Sequence, residues 1–471
     1  MTMNREGFTG KRVTIIGLAR EGQALARFLA EHGAMVRVSD ARQEHELGDA
    51  VSSLADLPMQ FALGGHRDEL LDADTIFVSP GVPLGIPFLA RAREAGVPLS
   101  SEPRLFAELC RAPIIGITGS SGKSTTVVLV GRMLQESGWR TFVGGNIGVP
   151  LLPKVQVIEP EDKVVVELSS FQLEMFAAGC GTGPGLSPAV AAITNITPNH
   201  LDRHETMEAY VAAKKNILLY QSADDSVVLG RDNAAAWELR SDCAGRVAGF
   251  SLEYEVPRGS YLRGDRLLVR LGDREEEVCR TQDIRLLGRH NVANVAAACA
   301  IAGTAGASVE AMRTVATTMT GIPHRLELVR EHRGVRYYDD SIATSPERAV
   351  AALRAFDEPV VLLAGGRDKH LPWDSWADLA SERVRHLVAF GEARPIIERA
   401  IAGAQARTEG RSLGPSGVYS VESMDEAVVL AASLARPGEV VLLSPGGTSF
   451  DAFKDFEERG DRFRELVEGL S

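Results

Sequence analysis

Runs of apolar, β-branched residues alternate with Ala- and Leu-rich stretches of helical spacing from one end of the chain to the other. Strands that are apolar on both faces fit parallel sheets covered by helical crossovers, so the pattern predicts an α/β protein. Residues 13–17 and Met35–Asp40 read as strands flanking a helix that begins near Glu21, with Thr75–Val78 as a further strand. Ile114–Thr118, residues 164–168 and residues 191–195 are the clearest strands of a second set. A third set comprises Val335–Asp339 and residues 360–364, 387–390 and 440–443. Segments bearing Pro and Gly at 101–103 and 321–323 divide the sets into three expected domains, 1–101, 102–322 and 323–471. Residues 253–280 differ: short alternating runs broken by Gly and charged turns predict antiparallel hairpins.

Composition narrows the class. At 471 residues, the chain exceeds one ordinary core, and roughly two to four domains are expected. Apolar residues at 45% and charged residues at 24% give the balance of a soluble globular protein. No apolar stretch reaches the ~20 residues that span a bilayer, so no membrane association is expected. The polar residues 1–11 run directly into a strand, so no secretory signal is expected. Cys110, Cys180, Cys243, Cys279 and Cys299 lack metal-ligand spacing and read as reduced thiols of a cytoplasmic protein. A net charge of −12 excludes general nucleic-acid binding, which needs a basic surface. Small anions remain possible ligands, since backbone N–H groups and a few local cations suffice to hold them.

Two glycine-rich turns follow strands. The first, Gly17-Leu-Ala-Arg-Glu-Gly22, leads into a helix, a second strand and Asp40. That is the outline of a dinucleotide fingerprint, but Ala19 replaces its middle glycine, so a plain strand-to-helix turn with a solvated Asp40 is the alternative. A loop at 79–83, Ser-Pro-Gly-Val-Pro, also lies at a strand's carboxyl end, where open α/β sheets bind ligands. The second turn, within Ile114-Ile-Gly-Ile-Thr-Gly-Ser-Ser-Gly-Lys-Ser-Thr125, is a phosphate-loop pattern. Backbone N–H groups of such a loop cradle phosphates, Lys123 neutralises them and the Ser124 hydroxyl can reach Mg²⁺. Ile117 stands where the strict pattern has its first glycine.

Further along, Glu167 interrupts an apolar strand and is followed by Ser169-Ser-Phe-Gln-Leu-Glu174. A buried acid is costly unless paired or metal-bound. Asn195-Ile-Thr-Pro-Asn-His-Leu-Asp-Arg-His204 then puts His200, Asp202 and His204 just after a strand. Beside a phosphate loop, this cluster reads as metal and substrate chemistry.

Together these motifs resemble the Mur ligase family, ATP-dependent amide-forming enzymes of peptidoglycan synthesis, and most resemble its D-glutamate-adding member. The resemblance extends from Gly17 to Gly460. It implies a Rossmann-like UDP-binding domain, a central P-loop ATPase-like α/β domain and a C-terminal Rossmann-like domain. By resemblance, Gly119, Ser120, Ser121, Gly122, Lys123, Ser124 and Thr125 bind ATP phosphates. Asn291 and Asn294, in Leu287-Gly-Arg-His-Asn-Val-Ala-Asn294, would meet adenine on one helical face. Gly321-Ile-Pro-His-Arg-Leu-Glu327 resembles a hinge, with Arg325 and Asp340 as further nucleotide contacts. The degraded fingerprint becomes a UDP site, and Arg20, Asp40, Arg42, Gly81, Asn146, Ser169, Gln172 and His200 are the implied contacts of UDP-N-acetylmuramoyl-L-alanine. Asn146 lies in Gly144-Gly-Asn-Ile-Gly148.

The implied metal ligands are Ser124, Glu167, His200 and a carbamylated Lys214, holding two Mg²⁺ ions; Lys123, Glu167, His200, Lys214 and Arg325 are the implied catalytic residues. Thr344, Lys369, Ser449 and Phe456 would hold D-glutamate. A monomer is expected. Ser121 stands where the family usually has Asn, and Ile342 and Ser345 where Lys and Asn are commoner. The Gly-rich residues 179–185 match no role in the family. Two other readings compete. An oxidoreductase would use the first turn but leave Lys123 and Glu167 idle, and a nucleotide sensor would have no need of Lys369 or residues 444–456.

Overall fold

The computed structural model describes residues 7–147, 150–181, 183–286, 288–321, 323–368, 371–407 and 415–470, with the backbone alone for Leu201 and Asp202. Lys369, Gly148 and Thr182 lie outside the described residues. The chain forms two compact units, Met1–Thr318 and Met319–Ser471.

Two sheets build the first unit. One has five parallel strands in the order Met59–Leu63, Met35–Asp40, Arg12–Ile16, Thr75–Val78, Leu99–Ser100. The chain reverses direction of sheet growth between Arg12–Ile16 and Thr75–Val78, and ligands of open α/β sheets sit outside such a switch point. Both turns singled out by sequence, 17–22 and 79–83, leave the sheet there. Helix Arg20–Glu31 covers one face because Leu25, Ala26, Phe28 and Leu29 recur at helical spacing and are buried.

The second sheet has nine strands. From Thr141–Gly145 its order runs through Lys163–Glu167, Ile114–Thr118, Val190–Ile193, Ser226–Gly230 and Arg246–Ser251 to Gly259–Arg263, all parallel. Arg266–Arg270 and Glu275–Arg280 then add two antiparallel strands, as the alternating pattern of 253–280 predicts. Ile114–Thr118 lies at a second switch point, flanked by Lys163–Glu167 and Val190–Ile193. The phosphate-loop sequence therefore emerges between the ends of both neighbouring strands. Helix Lys123–Glu136 follows it, and the Ala-rich helix Arg289–Thr304 packs alongside.

In the second unit six strands run Glu327–His332, Val335–Asp339, Val440–Gly446, Val360–Gly365, Val384–Phe390, Gly417–Ser420. Only the first is antiparallel to its neighbour. Separate apolar clusters fill the two faces, with Trp376 and Ile397 on one and Met424 and Phe463 on the other. Val384–Phe390 begins earlier than the expected 387 because Val384 and His386 already pair with the neighbouring strand, with Arg385 bulged between them. His386 pairs with Val361, and Arg385 reaches the Glu439 carboxylate at 2.6 Å. Among the described residues, no helix is long and apolar enough to cross a membrane.

Candidate active site

The phosphate-loop turn is braced from outside. Ser120 N donates to Asn195 O and Ser121 N to Asn195 Oδ1, both at 2.9 Å. Thr194 Oγ1 donates to Ser121 O at 2.9 Å. Gly119 (φ +157°) and Gly122 (φ +78°) have backbone angles that side chains rarely adopt. A Cβ at Gly119 would stand 1.9 Å from Thr194 Oγ1, and one at Gly122 2.3 Å from Asn294 Oδ1. The segment 194–195, read from sequence as the approach to a histidine cluster, is thus also the scaffold of the loop.

Lys123 opens the following helix, and its Nζ donates to Gly119 O at 3.0 Å. Ser124 and Thr125 are half-buried in the same helical turn. Lys214, on Met207–Lys215, is 1% exposed and donates to Gly119 O at 2.9 Å and to Thr118 Oγ1 at 3.3 Å. Burial, helped by the neighbouring Lys123 and opposed by Glu167, pulls the Lys214 ammonium down to about 7. Asn294 Nδ2 donates to Asn291 Oδ1 at 2.9 Å, and the Asn294 amide lies beside Gly122.

Glu167 ends its strand with a side chain that is all but inaccessible. Oε1 accepts from Asn146 Nδ2 at 2.8 Å, whereas Oε2 has no hydrogen-bond partner among the described residues. A carboxylate oxygen without a partner in the interior is a costly feature that a cation would satisfy. His200, at φ 53°, is exposed and edge-on to Phe171, with ring centroids 5.0 Å apart. His204 belongs to the packing instead. It is buried, its Nε2 lies 2.9 Å from Ser170 Oγ, and it stacks on Phe171. The Asp202 side chain lies outside the described residues.

On the first sheet's switch point, Asp40 accepts from Leu18 N at 2.8 Å and pairs with Arg42 at 2.9 Å. Burial works against its charge, but the Arg42 guanidinium and the Leu18 and Arg42 amides hold its pKa at about 2. Asp40 therefore braces the turn and fixes Arg42 over it. Arg20 Nη2 reaches Asn146 O at 3.3 Å, and Gly81 is exposed. Ser169 caps Ser170–Glu174 in a reciprocal box with Gln172. Gln172 is fully buried, and its Nε2 donates to Glu21 Oε1 at 2.8 Å. Burial raises Glu21 to about 7, with Arg20 and Gln172 opposing. Burial and then Glu21 raise Glu102 to about 8, against the Leu152 amide and Arg20. This buried acid pair escaped the sequence reading, because nothing local marks Glu102 as facing Glu21.

The second unit gathers its own loops at the ends of Val335–Asp339, Val360–Gly365 and Val440–Gly446. Asp340 accepts from Ser444 Oγ at 2.9 Å and Leu326 N at 3.3 Å, and burial lifts it to about 7 against those bonds and Arg325. Arg367 and Thr448 exchange backbone hydrogen bonds across two loops. Thr344 is half-buried, Ser449 buried, Phe456 half-buried and Arg325 exposed. Arg459 went unnoticed in the sequence, yet it is fully buried and donates to Ser341 Oγ, Ser341 O and Gly447 O. It fastens the loop after Val335–Asp339 to the loop after Val440–Gly446. His324, Glu327 and Asp339 converge as possible ligands, but they form an ion network: Asp339 takes His324 Nδ1 and Arg464 takes Glu327, each at 2.8 Å.

Residues 11–101 match a family model described as Mur ligase MurD-like, N-terminal domain. Residues 117–302 match the Mur ligase middle domain and 324–447 the Mur ligase glutamate ligase domain. A protein of Acetivibrio thermocellus called UDP-N-acetylmuramoylalanine--D-glutamate ligase is 42% identical over 462 residues, 98% of this chain and 97% of that protein. Its namesake from Symbiobacterium thermophilum is 43% identical over 465 residues, 98% of each. The crystal structure of the UDP-N-acetylmuramate-alanine ligase of Thermotoga maritima shares the fold, with a TM-score of 0.54 at 18% identity over 97% of this chain and 99% of that one.

Proposed function

The chain belongs to the Mur ligase family, and on that premise we propose that it joins D-glutamate to the L-alanine carboxylate of UDP-N-acetylmuramoyl-L-alanine at the expense of ATP. The step belongs to the cytoplasmic part of peptidoglycan synthesis. The observation that carries the reading is the cluster around Gly119, where Lys123 and Lys214 converge on a glycine loop.

A carboxylate resists an amine at neutral pH because its leaving group is poor. Attack of the L-alanine carboxylate oxygen on the γ-phosphorus breaks the bond to the β-phosphate oxygen, giving ADP and an acyl phosphate. The D-glutamate amine then attacks the acyl carbon, loses a proton, and phosphate leaves as the tetrahedral intermediate collapses. Positioning and electrostatics supply most of the rate in phosphoryl transfer. The braced amides of 119–122 and the Lys123 ammonium are suited to holding the phosphates, with Ser120, Ser121, Ser124 and Thr125 in the same turn. Asn291 and Asn294 are assigned to adenine. Arg20, Arg42, Gly81, Asn146 and His200 are assigned to the nucleotide substrate, with Asp40, Ser169 and Gln172 around them. In the second unit, Thr344, Ser449, Phe456 and Lys369 are assigned to D-glutamate.

The donor set suits a hard cation: a buried carboxylate oxygen without a partner among the described residues on Glu167, the Ser124 hydroxyl and the His200 imidazole. Mg²⁺ bound there supplies charge to offset the phosphates. Lys214 is proposed to become a ligand after carbamylation, in which its neutral amine forms an N–C bond to CO₂ and releases a proton. An amine drawn down to about 7 is available for that reaction near neutral pH.

Replacement Lys123→Ala tests the assignment. Loss of a charge contact to the phosphoryl transition state lowers turnover on the order of 10³-fold, with the fold retained. Turnover within about tenfold of the parent contradicts it.

A further inference from the structure

Arg203 is a side chain whose contacts reach well beyond its own segment. It follows His200 in the short helix Leu201–His204, yet its Nη1 donates to Pro80 O at 2.5 Å and its Nη2 to Val82 O at 3.0 Å. Those carbonyls flank Gly81 in the loop after Thr75–Val78. The guanidinium lies over the Phe171 ring at 4.0 Å, and Nη2 is 4.0 Å from Glu174 Oε2. Phe171 is also the ring against which His200 stands edge-on. The loop is tied at its other side to the first turn, where Ser79 Oγ donates to Gly17 O at 2.8 Å. A single planar group thus joins the first sheet's ligand loop to the turn that carries His200.

We propose that Arg203 is a positioning residue that sets the loop 79–83 and His200 in register, so that contact of the nucleotide substrate at Gly81 and presentation of its far end at His200 are coupled. This rests on the substrate reading given above. Arginine is required because its fork donates to two carbonyls while its face stacks on an aromatic ring; a lysine ammonium reaches one acceptor and does not stack. Hydrogen bonds from an ionised donor are among the stronger ones in proteins.

The test compares the parent chain with Arg203→Lys and Arg203→Met. Calorimetric titration with UDP-N-acetylmuramoyl-L-alanine and separately with ATP, together with amide hydrogen exchange, reads both ends of the link. Arg203→Met is expected to bind the UDP substrate about tenfold to hundredfold more weakly, with ATP affinity within about twofold, and Arg203→Lys to fall between. Exchange should quicken both in 79–83 and in 200–206 in the unliganded variants. UDP-substrate affinity within about twofold of the parent, or quickened exchange at 200–206 alone, overturns the proposal. So does an equal loss for ATP, which marks general loosening. If the parent chain itself binds ATP but not the UDP substrate, the functional reading falls, while the tie between 79–83 and 200–206 is still tested by exchange. The exchange result then still separates the two failures, since it needs no substrate.

Discussion

The ammonium groups of Lys123 and Lys214 converge on one acceptor, the carbonyl oxygen of Gly119, at 3.0 and 2.9 Å. One lysine comes from the helix that the loop opens, the other from a helix ninety-one residues later whose inner side is buried. Two cations on one oxygen in the interior disfavour charge on the more buried of them, which is Lys214. On the proposed reading the two differ in role: Lys123 is the cation that meets the phosphates, and Lys214 is the amine open to modification.

Lys214→Ala should leave almost no ligase activity, and short carboxylic acids should restore part of it by standing in for the carbamate. The parent activity should fall when CO₂ is purged and recover with bicarbonate. The folded-state value near 7 means that the amine is mostly protonated below that pH, so recovery should weaken as the pH falls through 7. Full activity in Lys214→Ala, or an equal effect confined to Lys215, removes the assignment.

Gly119→Ala forces a Cβ to within 1.9 Å of Thr194 Oγ1 at a φ of +157°. ATP affinity should drop about tenfold to hundredfold, in line with backbone strain of a few kcal/mol. Gly138→Ala is the control, since that glycine has φ +87° but open space around its Cβ position. It should lose some stability while ATP affinity stays put. Equal ATP binding by both variants would show that the loop has no tight mould.

Glu21 and Glu102 tie stability to pH. Their folded values, about 7 and about 8, lie above the ordinary 4.5 because burial penalises the charged forms. A carboxyl with a raised folded value holds its proton more firmly when folded. Its stabilising contribution is complete below about 4.5 and is lost as the pH rises through 7 to 8. Chemical denaturation between pH 5 and 8 should therefore show Glu102→Gln losing less stability with rising pH than the parent. Parallel profiles for the two proteins would show that Glu102 is charged throughout.

Most strand ends at the site were legible in the chain. Met35–Asp40, Thr75–Val78, Ile114–Thr118 and Val335–Asp339 appear with the expected bounds, because each is rich in buried apolar or aromatic residues and ends at or just before a polar one. Edge strands such as Met59–Leu63 and Gly417–Ser420 were not read: they are only half-buried or exposed, and their composition carries little signal. Arg203, Arg104 and Arg459 were missed for another reason. Each donates to main-chain carbonyls far away in sequence, and a carbonyl acceptor leaves no mark in a residue pattern. Arg104 also borders the glycine-rich residues that follow Ala178. Fully buried, it donates to Met175 O and Ala177 O before them and to Pro184 O.

Lys369→Ala tests the proposed assignment of that residue to the amino-acid site. Loss of one carboxylate contact should raise the KM for D-glutamate at least about tenfold and leave that for ATP within about twofold. Ile342 and Ser345 occupy positions where a lysine and an asparagine are commoner, so discrimination among acidic amino acids is a property to measure alongside. A shift in the ATP constant without one for D-glutamate would move Lys369 out of the amino-acid site.

Phosphate release by the purified chain, supplied with ATP and Mg²⁺ and with each proposed substrate omitted in turn, tests the ligase assignment most directly. Steady release should require both UDP-N-acetylmuramoyl-L-alanine and D-glutamate, and mass spectrometry should find one glutamate added per phosphate. L-glutamate in place of D-glutamate should sustain less than about a tenth of that rate. Steady release with no need of D-glutamate, or release without the matching amide product, would contradict the account.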